Sequence, residues 1–199
     1  MTPGIAGRPF PVTSDAIDGK APLTPTAKLV VGIIAQGPEL LSEAEAAVEQ
    51  EFGSITRRSD VLPFDLTDYY EPEMGRGLVR RWVGLKGVVA VDRLPGLKLQ
   101  SIRLEARFSV RGRRRVNLDP GLLSLHNFVL ATTKDFAHRI FLHDGIRAEV
   151  TLIYQSGLFR PLEWTYADYR SETCHRFLAD CRRDLVADSR SQEPGDSGP

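Results

Sequence analysis

Thr132, Thr133, Lys134, Asp135, His138 and Arg139 bring two hydroxyls, an ammonium, a carboxylate, an imidazole and a guanidinium into one short segment. Such a mixture is costly to bury unless a ligand or complete pairing satisfies it. Downstream, Glu149 lies on a strand expected to pair with the one carrying His138. A two-residue Asp144-Gly145 turn would set Ile140 opposite Glu149 and put His138 one diagonal step from it, on the same face. A carboxylate beside an imidazole orients the ring and makes an acid/base pair. We therefore expect His138 and Glu149 to be catalytic, with Lys134 and Arg139 gripping an anion. The competing reading makes these residues solvated pairs on a hairpin.

Three further clusters could complete a site. Asp65, Asp68, Tyr69, Tyr70, Glu71 and Glu73 follow a predicted strand, where hard oxygen ligands could hold Mg²⁺ or a general base; Asp68 is the expected third catalytic group. Otherwise this is an acidic turn that pairs with basic neighbours. Asn117 to Gly121, NLDPG, has the composition of a turn. The arginines before it would let Arg115 reach a phosphate, with Asn117 and Asp119 beside it. Trp164, Tyr166, Asp168, Tyr169 and Arg170 supply aromatic rings and one acid that could wall a pocket, or form a core lid with Asp168 capping a helix.

The elements that must position these groups follow from periodicity. Lys28 to Ala35, KLVVGIIA, is a continuous β-branched run expected of a central strand buried on both faces. Pro38 opens a helix with an apolar stripe at Leu40, Leu41, Ala44, Val48 and Phe52, closed by Gly53. Strands are expected over 55–64 and 78–91, a helix over 95–110 and a strand over 115–119. That order suggests a ferredoxin-like β-α-β-β-α-β core in an α+β protein with an antiparallel-rich sheet. Strands over 128–133, 138–143 and 146–154, the last two a C-terminal β-hairpin, extend it. A final helix over 171–187 would bury Cys174, Phe177, Leu178, Cys181 and Leu185.

The 199 residues balance 26 Lys and Arg against 26 Asp and Glu, with 42% hydrophobic residues, the composition of a globular chain. Residues 27–187 are read as one domain between a Pro-rich leader, 1–26, and a Ser/Gly/Pro-rich tail, 188–199, both expected to be disordered. There is neither an apolar run long enough to span a bilayer nor the apolar region of a secretory signal. Cys174 and Cys181, seven residues apart on a helix, stand about 10.5 Å from one another along the axis, too far for a disulfide. A cytoplasmic protein is expected.

Zero net charge conceals a division. From Glu39 to Glu73 ten acids face Arg57 and Arg58, whereas from Arg76 to Arg115 twelve bases face Asp92 and Glu105. Arg103, Arg107 and Arg111 recur at helical spacing. Without interleaved aromatics or an overall basic balance, nucleic acid is not the expected partner.

Several segments together resemble the uncharacterised bacterial and archaeal family named domain of unknown function 4416. They are PFDLTDYYEPEMG (Pro63 to Gly75), LKL around Lys98, RRVNLDPG (Arg114 to Gly121), VLATTKDFAHRI (Val129 to Ile140), GIRAEVTL (Gly145 to Leu152) and WTYADYR (Trp164 to Arg170). The resemblance implies no assigned reaction, and the GTP-binding label it suggests meets no G-x-x-x-x-G-K-[ST] loop in this chain. Leu122, Arg147, Ala167 and Ile102 depart from the family pattern, which has Tyr, Tyr, Pro and Asn there. The expectation is a domain binding an anionic, phosphorylated small molecule, with Tyr69, Lys98, Trp164 and Asp168 also in contact. The alternatives are a non-catalytic interaction protein and a nucleotide binder.

Overall fold

The structure, a computed structural model, describes residues 25–190. The rest of the expected leader and tail lies outside the described residues. Thr26 already belongs to the first strand and the last helix runs to Arg190, so regular structure begins before residue 27 and continues past 187.

The elements are β1 (Thr26–Gln36), α1 (Gly37–Phe52), β2 (Ile55–Arg58), β3 (Leu62–Pro63), α2 (Glu71–Met74), β4 (Leu78–Leu85), β5 (Val89–Ala90), α3 (Leu94–Arg107), β6 (Val116–Leu123), β7 (Asn127–Thr132), β8 (Ile140–Phe141), β9 (Arg147–Gln155), β10 (Leu158–Pro161) and α4 (Glu172–Arg190). They form a mixed α/β protein around one large antiparallel sheet of order β10-β9-β7-β6-β1-β4-β2, with β3 on β4, β5 on β1 and β8 on β9.

Alternation along β1 explains its unbroken apolar sequence. Leu29, Val31, Ile33 and Ala35 join the core under α1 and α3, while Val30 faces the core under α4 and Ile34 packs with Phe64 and Met74. α4 carries Cys174, Phe177, Leu178, Cys181 and Leu185, all buried, with both thiols free. Arg57 ties α4 to β2 through a two-pronged contact with Asp184 at 2.6 and 2.7 Å. In α1, Pro38 occupies the first turn and Gly53 the C-cap, at φ 105°.

Four sequence expectations are corrected. Residues 55–64 form two short strands, and 78–91 breaks after Leu85, where Gly87 adopts φ 74°. NLDPG is no turn but the middle of β6, with Gly32 opposite Asp119 and Val31 opposite Pro120. Pro120 is tolerated because β7 meets β6 only from Gly121 to Leu123, so the proline has a ladder neighbour on one side only. Asp144 and Gly145 take the expected left-handed conformation, φ 53° and 75°, yet Ile140 pairs with Ala148 rather than Glu149, and His138 precedes β8. Beyond these four, β9 bulges: Phe128 pairs with Leu152 and the next residue, Val129, with Val150. Thr151 is skipped, which turns Leu152 to the α4 side together with Glu149 rather than with Ile146.

Gly121 is fixed by packing. A Cβ there would lie 2.4 Å from Phe128 Cζ, so Gly121→Ala is expected to destabilise the protein by about 1–3 kcal/mol through overpacking, read as a lowered urea midpoint with unchanged slope.

Candidate functional site

Beyond Gly121 the two middle strands part company. β7 continues to Thr132 against β9, while the preceding half of β6, Val116 to Pro120, keeps only β1. The peptide of Leu118 would then have lost a strand's hydrogen bonds. Two side chains of α3, one face and seven residues apart, take them: Lys98 Nζ donates to Leu118 O at 2.7 Å, and Leu118 N donates to Glu105 Oε1 at 2.7 Å. Lys98 also stands 3.7 Å from Asp119 and 4.0 Å from Glu105. Burial pushes the Glu105 carboxyl above its ordinary value, with Lys98 and the Leu118 peptide opposing.

The parted strands enclose a cavity of about 730 Å³, within the usual range for small-molecule sites. Its walls come from β6 (Asn117, Asp119), β7 with the residues after it (Leu130 to Lys134), Glu149 of β9, Lys98, Ile102 and Glu105 of α3, the 64–70 loop and the 166–169 segment.

Behind the cavity lies a buried guanidinium. The Arg80 side chain is 1% exposed, its Nη1 3.3 Å from Asp119 and its Nη2 3.0 Å from Asp168. The group is sandwiched between the rings of Trp82 and Tyr169, at 4.8 and 4.9 Å. Gly32 makes room, since a Cβ there would stand 2.7 Å from both Arg80 Nη2 and the Tyr169 hydroxyl. The two acids respond oppositely. Removal from water disfavours the Asp119 carboxylate, but Lys98 and Arg80, with hydrogen bonds from Asn117 and Arg80, prevail and hold its carboxyl below the usual value. For Asp168 the burial cost prevails over Arg80 and its carboxyl is raised.

Glu149 is the other acid of the wall. Its Oε2 receives His138 Nε2 at 3.0 Å and Arg139 Nε at 2.8 Å. Its Oε1 is buried without a hydrogen-bond partner, although the residue is 1% exposed. His138 stacks on Trp164, centroids 4.8 Å apart and planes 8° from parallel, and the Trp164 indole donates to Val150 O at 2.8 Å. Arg139 reaches on to the Tyr166 hydroxyl at 2.7 Å, whose ionisation burial pushes up to about 12.

Of the residues singled out from sequence, Lys98, Asn117, Asp119, Tyr69, Lys134, Glu149 and Asp168 share this cavity wall. His138, Arg139 and Trp164 are not on it; they stand around Glu149. Arg115 is directed elsewhere, its Nε donating to Gln36 at 3.3 Å, and its neighbour Arg114 lines the cavity, bound to Glu73 at 2.8 and 2.7 Å. Asp68 is exposed and contributes its backbone carbonyl to the turn opening α2. Asp168 does not cap α4; Ser171 Oγ does, accepting from Cys174 N at 3.2 Å. Among the described residues no three His, Cys, Asp or Glu lie close enough together to hold a metal ion. Arg111 sits past the end of α3 in a tight turn at φ 53°, so the arginine stripe ends at Arg107. Sequence reasoning left out Arg80 and Glu105, and named Tyr70 and the arginine run containing Arg114 without selecting either as a contact residue. The DYYE cluster and the Arg113 to Arg115 run contain the latter two, whereas the unused signal for Arg80 was the Arg80-Arg81 pair inside an otherwise apolar strand, where alternation must turn one of the two to each face.

An antiparallel sheet opened between two central strands, with a helix sealing the exposed ladder and acids and aromatic rings around the gap, defines an α+β protein with a cavity inside its sheet. The chain belongs to the family described as Domain of unknown function (DUF4416), whose profile matches residues 25–185. No curated protein and no solved structure matches it. None of the described helices is long and apolar enough to cross a membrane.

Lys98→Met is expected to cost about 3–5 kcal/mol, because it strands the Leu118 carbonyl and buried acid partners; urea unfolding checks it. The linkage of the two acids is opposite in sign. Asp119, depressed, adds stability above its ordinary 3.8 that is lost as pH falls through its lower folded value. Asp168, raised, adds stability below 3.8 that is lost as pH rises through its higher folded value. Asp119→Asn should therefore destabilise more than Asp168→Asn at pH 7, with the gap narrowing below about pH 4, as read from urea midpoints at pH 7 and pH 3.

Proposed function

We propose that this protein is a small-molecule-binding domain whose ligand occupies the cavity between β6 and β7 and meets Glu149. One observation carries the reading: Glu149 lines a cavity of about 730 Å³, and one of its carboxylate oxygens, Oε1, is buried without a hydrogen-bond partner. An unsatisfied buried acceptor is expensive, and a donor on a bound molecule relieves that cost. His138 and Arg139, both on Oε2, serve as positioning groups that hold the carboxylate in place, so any acid/base chemistry falls to Glu149 itself.

The expected grip on a phosphorylated anion retains one support. Lys134 Nζ lies 3.9 Å above the Tyr69 ring and has no acidic partner among the described residues, whereas Lys98 and Arg114 are held by the protein's own acids. We also read β6-β1-β4-β2, with α1 and α3 on one face, as the ferredoxin-like core, β8 and β9 as the hairpin extending it, and the buried free thiols as fitting a cytoplasmic setting.

Thermal-shift screening with nucleotides, sugar phosphates, dicarboxylates, amines and polyols tests the binding reading. A ligand at 100 times its dissociation constant adds about 2.7 kcal/mol. Ala167 lines the cavity and is exposed, so Ala167→Trp should fold normally and fill the rim. The expected result is at least one compound class that stabilises the wild type and not Ala167→Trp. Stabilisation of both alike, or no response across the panel, overturns the reading.

A further inference from the structure

The charged groups of the cavity wall are unequal in what they leave free. Glu105, Asp119, Glu149 and Asp168 line it against Lys98, Arg114 and Lys134. Two of the three cations are engaged. Lys98 serves the Leu118 carbonyl and Asp119, and Arg114 binds Glu73 with both arms of its fork and reaches Glu105 at 3.3 Å. The third, Lys134, already rests on a tyrosine ring. Among the acids, Asp119 and Asp168 share Arg80, and Glu105 is taken by the Leu118 peptide and Arg114. Glu149 alone combines burial with an oxygen that accepts nothing. An incoming anion would thus find four acids, the unpartnered buried hydroxyl of Tyr169 and no uncommitted cation in the interior, whereas a cationic donor finds the unpartnered carboxylate oxygen of Glu149.

Much of the remaining wall is apolar and aromatic, with Ile34, Phe64, Tyr70, Ile102 and Leu130 along it beside Asn117 and three threonines. Aromatic faces attract cations, and the protein shows that preference at the same site by laying its own Lys134 ammonium over Tyr69. We infer that the ligand is an amine: an organic molecule with a protonated amino group that donates to Glu149 Oε1 and an apolar body that packs against these side chains. This rests on the cavity being a binding site, and narrows it to a class opposite in charge to the phosphorylated ligand expected from sequence.

Calorimetric titration of the wild-type chain at pH 7 with 2-phenylethylamine, its N-acetyl derivative, 3-phenylpropionate and phenyl phosphate tests the inference. The expected result is that the amine binds, that N-acetylation and both anions weaken binding at least tenfold, and that folded Glu149→Gln weakens amine binding to the same extent. Equal affinity for the amine and its N-acetyl form, tighter binding of either anion, or amine binding indifferent to Glu149→Gln overturns it. The comparison among wild-type ligands decides the matter if Glu149→Gln fails to fold. A nucleotide, sugar phosphate or polyol that stabilises the wild type but not Ala167→Trp, with no amine binding, overturns the amine assignment and leaves the cavity reading standing. Failure of every class on the broader panel removes the cavity reading itself.

Discussion

The replacement of a strand by two side chains underlies everything else in this fold. A central strand that loses its neighbour exposes peptide groups to an interior where water is scarce, which proteins seldom tolerate. Here Lys98 and Glu105 bond both polar groups of the Leu118 peptide. Their opposite charges let them stand together, 4.0 Å apart, while each does so. With that edge sealed from α3, β6 and β7 stay apart without exposing the ladder. Closing the gap by ordinary pairing would eliminate the cavity, so the cost of burying two charges is tied directly to the existence of that cavity.

Arg80 secures the opposite side. Its guanidinium brings Asp119 of β6 and Asp168 of the segment before α4 to one point, although these belong to elements that do not pair in the sheet. The flat group also fills a slot between Trp82 and Tyr169 that a lysine would fit poorly. The acidic and basic blocks of the sequence are thereby partly used up inside the protein. Glu45 holds Arg58 and Arg81, and Glu73 holds Arg114. Arg103 and Arg107 remain exposed on α3.

What the sequence made legible follows from the range of the forces involved. α1, with its proline start and glycine stop, and β1, with its unbroken apolar run, are determined by near neighbours and emerged close to their actual limits. NLDPG was misread because turn propensity is local, whereas its place in β6 depends on β7 ending its pairing at Gly121, a fact of tertiary structure. The same holds for the hairpin register, altered by a single residue, and for the bulge at Thr151. Residue types around the cavity were legible because unlike polar groups rarely gather without reason. Which arginine of Arg113 to Arg115 faces inward was not, since that depends on strand phase. His138 and Glu149 meet at 3.0 Å even though the predicted pairing was off by one residue, because His138 approaches from outside the strand.

The wall of the cavity is built largely from sheet and from a helix packed on it, and this has a mechanical consequence. Strands β6 and β7 are each hydrogen-bonded on their outer sides, to β1 and β9, so the gap between them can neither widen nor narrow without disturbing the whole sheet. A molecule entering would meet a preformed rigid mould, and little ordering entropy would be charged against its affinity. Adjustment is left to the rim, the 64–70 loop and the 133–139 segment, where Lys134 touches Tyr69 across the opening. Selection by shape would therefore operate deep in the sheet, and the timing of entry and departure would be set by two loops at its mouth.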